Sequence, residues 1–147
     1  MENQELETNM TIEDVQEKIH GCNLLTPFEL FGVECDKGWY PLVKKAIAAV
    51  ARYNGINRCD QDFVPVEFSQ IKEKYGELCL YLNYYPTKYL EDEIRDIEME
   101  SVQYCEHCGT KENVRTQNIN GWIYTYCNNC AKEEIKRLNK LYGKNIS

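Results

Sequence analysis

The chain contains only 2 histidines among 147 residues, and they are His20 and His107, far apart in sequence. A cysteine or serine nucleophile would need a nearby base of that kind, so nucleophilic catalysis has little to draw on. There is no serine elbow, no glycine-rich phosphate loop and no H-E-x-x-H helix. No apolar run approaches the roughly 20 residues that cross a bilayer, which leaves out a membrane span. The first ten residues are polar and acidic, unlike the apolar core of a secretory signal. These absences lead us to expect a cytoplasmic, non-enzymatic protein.

Positive charge is also in short supply. The net charge is -7, and its distribution is uneven. Residues 1–104 carry 20 acidic and 10 basic side chains, whereas residues 105–147 carry 4 acidic and 7 basic. Non-specific affinity for nucleic acid comes from neutralising phosphates. An acidic body with a weakly basic tail is therefore a poor general DNA binder.

Cysteine and tyrosine, by contrast, are abundant, at 8 and 11 copies. In the reducing cytoplasm closely paired cysteines read as metal ligands rather than as a disulfide framework. Cys105-Glu106-His107-Cys108 and Cys127-Asn128-Asn129-Cys130 are two C-x-x-C pairs. Two intervening residues let both sulfurs of a pair turn onto one ion, and the separation of the pairs suits a zinc ribbon. Gly109 follows the first pair, where a zinc knuckle needs a tight turn. The spacing predicts one structural Zn²⁺ on Cys105, Cys108, Cys127 and Cys130. An iron–sulfur cluster or a redox dithiol is the competing use of the same residues. Catalytic zinc keeps an open position for water, and four thiolates fill the shell. Cys22, Cys35, Cys59 and Cys79 are scattered and have no such partner; Cys79 reads as a small buried residue.

Periodicity outlines the rest. Residues 1–10 read as a disordered acidic leader. Residues 11–104 read as an α+β body, with helices and a small antiparallel sheet. Thr11 caps a first helix carrying Ile12, Val15 and Ile19 and ending at Gly21. An irregular stretch follows from Cys22 to Gly38. Pro41 opens a second helix, with Leu42, Val43, Ala46, Ile47, Val50 and Tyr53 at helical spacing, stopped by Asn54-Gly55. Val64, Val66 and Phe68 begin one strand, Tyr75-Gly76-Glu77 turns, and Leu78, Leu80, Leu82 and Tyr84 alternate along the next. Thr87 caps a third helix with Leu90, Ile94, Ile97 and Ser101 inward. Residues 105–147 form the zinc ribbon: strands over 113–117 and 122–126, a turn at 118–121, and a helix over about 131–142 carrying Ile135, Leu138 and Tyr142.

Two features invite a partner. Glu91, Asp92, Glu93, Asp96, Glu98 and Glu100 crowd one helix against Arg95 alone. Acids one turn apart repel. This is either a solvated face or a surface offered to a basic partner. The only 2 tryptophans, Trp39 and Trp122, either pack the ribbon onto the body or, if exposed, anchor a partner. Candidate partner-binding residues are thus Glu91, Asp92, Glu93, Asp96, Glu100, Trp39 and Trp122. Glu34, Asp36, Asp60 and Asp62 could be drawn together as an acid–base cluster, but loop carboxylates are mostly solvated.

Glu34-Cys35, Gly38-Trp39-Tyr40-Pro41-Leu42, Ile71-Lys72-Glu73-Lys74-Tyr75-Gly76-Glu77-Leu78, Cys105-x-x-Cys108-Gly109, Gly121-Trp122 and Cys127 occur in an order that resembles a group of small phage and prophage zinc-ribbon proteins. The resemblance spans roughly residues 31–135. It departs at Asp36-Lys37, where Gly-Asp would stand. It implies phage origin more than an activity. By analogy, such proteins bind and block host machinery, which points to a host protein, with a CRISPR nuclease such as Cas9 as the example. The rival expectation is a ribbon that binds nucleic acid through Lys111, Arg115, Lys132, Lys136, Arg137 and Lys140.

Overall fold

A computed structural model describes residues 32–143 and 145. The expected leader, the helix from Thr11 and Cys22 lie outside the described residues. The rest is an α+β arrangement. In chain order it runs β1 (Val33–Glu34), a 3₁₀ turn (Lys37–Trp39), α1 (Tyr40–Asn57), β2 (Phe68–Lys74) and β3 (Glu77–Leu82). It continues with α2 (Lys88–Glu100), a second 3₁₀ turn (Ser101–Gln103), β4 (Val114–Ile119), β5 (Trp122–Cys127) and α3 (Asn128–Tyr142).

The larger sheet has the order β1-β2-β3. β2 and β3 are antiparallel, as alternation predicts, but β1 pairs parallel to β2 through Val33↔Ile71 and Glu34↔Lys72. The sheet is therefore mixed. A two-residue strand has no period to read, which is why this part of the chain looked irregular. Tyr75 and Gly76 both have positive φ, 52° and 79°, the two-residue turn whose twist matches a hairpin.

Three boundaries differ from the periodic reading. α1 runs through Asn54-Gly55 to Asn57. Asn54 does not stop it, because its amide is engaged elsewhere: it donates to the Val66 carbonyl and accepts from the Val66 N–H, both at 2.9 Å. That clamp takes Val66 out of any ladder, so β2 begins at Phe68 rather than Val64. β3 likewise stops at Leu82, where Asn83 turns back onto Glu67. α3 starts at Asn128, three residues early, because the Cys127 sulfur caps it. Tyr142, expected on the apolar side of α3, is exposed.

The core lies between α1, α2 and the inner face of the β2–β3 pair. Leu42, Val43, Ala46 and Val50 of α1 meet Leu90, Ile94 and Ile97 of α2 and Phe68, Ile71, Leu78 and Leu80 of the sheet. Thr87 caps α2 as its sequence suggests, accepting from Leu90 N at 3.2 Å. Burying such side chains contributes about 1.5–3 kcal/mol each against leaving them wet. Cys105, Ile119, Tyr126, Cys127, Ala131 and Leu138 make a second, smaller cluster. No helix among the described residues is long and apolar enough to cross a membrane.

Candidate metal centre

The four cysteines predicted as ligands come together. Their sulfurs all lie within 4.8 Å of one another, and Cys108 Sγ is 3.7 Å from Cys127 Sγ. Four sulfurs placed tetrahedrally about 2.3 Å from one ion would be about 3.8 Å apart. The set fits a closed tetrahedral site. It is the one such grouping of metal-ligating side chains among the described residues. Glu34, Asp36, Asp60 and Asp62 form no comparable cluster, and Cys35, Cys59 and Cys79 stay outside it.

Two local devices aim the sulfurs. After Cys105 the chain folds back on itself: Gly109 N donates to the Cys105 carbonyl at 2.9 Å, and Cys105 N to the Thr110 carbonyl at 2.8 Å. Gly109 holds φ at 80° to make that turn, a conformation glycine takes without strain. At the second pair Cys127 ends β5 and caps α3, with Cys130 N donating to its sulfur at 3.4 Å. Burial works against ionising Cys127, but the Cys130 amide and the surrounding sulfurs outweigh it and bring its pKa down. Burial pushes Cys108 up against a helping hydrogen bond from the Thr110 backbone, and burial followed by Cys127 pushes Cys130 up. Four thiolates could share this space only around a cation.

The first cysteine pair is fixed to the body by Gly38 and Trp39. Gly38 N donates to the Glu106 carbonyl at 2.9 Å. A Cβ at Gly38 would lie 2.1 Å from the Cys105 oxygen and 2.5 Å from the Glu106 carbonyl carbon, so only glycine allows this approach. Trp39 is completely buried, and its indole N–H is shared between the Ser101 and Tyr104 carbonyls, each at 3.0 Å. Ser101 Oγ in turn accepts from Leu78 N at 3.0 Å. One side chain thus joins α1, β3 and the entry to the cysteine module.

A second attachment runs through the other face of the β4–β5 hairpin. Thr125 Oγ1 donates to the Gly76 carbonyl at 2.5 Å and lies 2.8 Å from Thr116 Oγ1. The β2–β3 turn therefore sits on the hairpin, with α3 on its opposite face. Glu106 ties the first cysteine pair to the hairpin, its N–H donating to the Thr125 carbonyl at 2.9 Å. Its carboxylate accepts from Thr125 N at 3.0 Å, and burial pushes its pKa up to about 7, with Glu73 and Asp36 adding to the shift and the Thr125 N–H opposing it. His107 is half exposed and lies 2.7 Å from Asp36 through Nδ1. Nothing in the sequence marks that pair, since 71 positions separate the two.

The candidate partner residues fare differently. Trp39 offers no surface, because the core has taken it. Trp122 is 71% exposed. On α2, Glu93 pairs with Arg52, Glu100 with Lys45 at 2.9 Å and Asp92 with Lys88 at 3.1 Å. Glu98 turns inward and accepts from Leu80 N at 2.9 Å. Glu91 and Asp96 are exposed and form no ion pair among the described residues. Of the six acids on this helix, Glu93 and Glu100 are answered by α1. No protein family, curated protein or solved structure matches this chain.

Proposed function

We propose that Cys105, Cys108, Cys127 and Cys130 hold one structural Zn²⁺, and that the protein is a non-catalytic, phage-type binding protein that inhibits or modulates a host protein. The observation that carries the first half is the mutual approach of four sulfurs within 4.8 Å. A shell filled by four thiolates has no place for a substrate or an activated water, so the ion's contribution is to folding.

The second half rests on surface chemistry and on the resemblance to phage proteins. Trp122, standing out at 71% exposure, is the type of side chain that anchors protein interfaces. Glu91 and Asp96, without an ion pair among the described residues, leave negative charge for a basic partner. A Cas effector such as Cas9, with its basic nucleic-acid channel, is the specific candidate, which would place the protein in the host cytoplasm.

The test is a pull-down of the tagged protein from bacterial lysate treated with nuclease, followed by identification of what is held. Retention of one nuclease or defence protein, lost in Trp122→Ala with Glu91→Lys, supports the reading. Recovery of partners only when nucleic acid is left intact overturns it.

A further inference from the structure

One cleft in the cysteine module belongs to neither the metal site nor the acidic helix. It has a volume of about 630 Å³ and lies between β4 and the first turns of α3. That is the size range of small-molecule sites, with room for a nucleotide-sized group and not for a duplex. Its lining is unlike the rest of the molecule. The chain has 24 acidic residues, yet none lines this cleft. Arg115 and Lys132 do, together with amide side chains that include Gln117, Asn120 and Asn128.

The two cations also form no ion pair among the described residues. Elsewhere in the module Lys136 pairs with Glu133, Arg137 pairs with Glu134, and Lys111 lies over the Tyr104 ring at 5.0 Å. Lys140 is likewise without an ion pair among the described residues, but it is Arg115 and Lys132 that line the cleft. Amide side chains offer a donor and an acceptor each, the chemistry that reads the edge of an unpaired base. The β4–β5 register puts Trp122 directly opposite Ile119, a lining residue, and cross-strand partners share one face of a hairpin. An exposed indole beside such a cleft is a stacking platform.

We propose that this cleft binds a short segment of single-stranded nucleic acid, with Arg115 and Lys132 on the phosphodiester and the amides on the base edges. The surplus of acidic residues over residues 1–104 repels a long duplex, which restricts binding to a strand that can reach the cleft locally. The site does not depend on a protein partner, and the two readings fail separately.

Fluorescence anisotropy with labelled poly(U), labelled poly(dT) and a labelled duplex, on the full zinc-loaded chain over about 50 to 200 mM salt, tests it. The expected result is weak binding of single strands, with the duplex bound less well. The double variant Arg115→Gln with Lys132→Gln should flatten the salt slope by about 1.4, two contacts at about 0.7 each. Lys111→Gln with Lys136→Gln, on cations engaged elsewhere, should leave it unchanged. Metal content and circular dichroism of each variant establish that it is folded. Restoring the charges as Arg115→Lys with Lys132→Arg should restore the slope. No binding by the parent protein, an unchanged slope in the first double variant, or a preference for duplex would each overturn the proposal.

Discussion

The indole nitrogen of Trp39 lies 3.0 Å from the carbonyl oxygen of Ser101, 62 positions further along the chain. Ser101 is itself fully buried and its hydroxyl accepts from Leu78 N. The contact ties the start of α1 to the segment that leads into the first cysteine pair. Trp39→Phe keeps most of the ring and removes the N–H, leaving the Ser101 and Tyr104 carbonyls short of a donor. The expected loss is about 1–3 kcal/mol, measured as a lower urea midpoint at unchanged slope.

Gly38 and Gly55 should respond oppositely to alanine. At Gly38 a Cβ would fall 2.1 Å from backbone that cannot yield, so the Cys105–Cys108 loop must move off the body. Gly38→Ala should lower stability and weaken metal retention against a chelator. At Gly55, inside α1, a Cβ meets nothing within 4 Å. Gly55→Ala should stabilise by about 0.5–1 kcal/mol through helix propensity. Thermal melts of the two variants side by side are the check.

Removing the metal should act first on the smaller core. Cys127→Ser removes one of the four proposed ligands and the sulfur that caps α3. Near-stoichiometric zinc is expected in the parent protein and very little in the variant, by elemental analysis of dialysed samples. Structural zinc contributes on the order of 10 kcal/mol in small modules. Hydrogen exchange in β4, β5 and α3 should therefore accelerate more than in β2 and β3. Equal metal content in the two proteins would refute the assignment, and visible absorption bands would point to iron instead.

Thr125→Val tests the attachment of the hairpin to the β2–β3 turn. Valine keeps the shape and loses the hydroxyl that serves both Gly76 and Thr116. A cost of about 1–3 kcal/mol is expected, with the Gly76 and Leu78 region and the β4–β5 hairpin both exchanging faster. Thr116→Val, which leaves the bond to Gly76 in place, should cost less.

On α2 the acids should separate into two groups. Glu93→Gln and Glu100→Gln each break a cross-helix pair and should cost under about 1 kcal/mol, since surface pairs are worth little. Glu91→Gln and Asp96→Gln break none and should leave the melting temperature unchanged or slightly higher, by relieving repulsion. If partner binding falls with the second group and not the first, the acidic face is a contact surface.

Whatever depends on neighbours along the chain was legible in the residues alone. Thr87 caps α2 because an N-cap needs only its own next three residues. Leu90, Ile94 and Ile97 point inward because a helix has a fixed period, and Leu78, Leu80 and Leu82 because a strand does. The cysteine quartet was legible for the same reason: two C-x-x-C pairs carry their geometry in their spacing. Features that depend on distant partners emerged with the fold. Asn54 reads as a helix stop until Val66 takes its amide. The acids of α2 read as a charged surface until α1 supplies Arg52 and Lys45. Trp39 could be an anchor or a core residue on sequence alone, and it is Ser101 and Tyr104 that bury it. β1 was invisible because two residues have no period, and the cleft lined by Arg115 and Lys132 exists only once β4 and α3 lie side by side. Periodicity and caps are short-range and repeat along the chain; hydrogen-bond partners and uncompensated charge are pairwise facts of space, which no one-dimensional pattern contains.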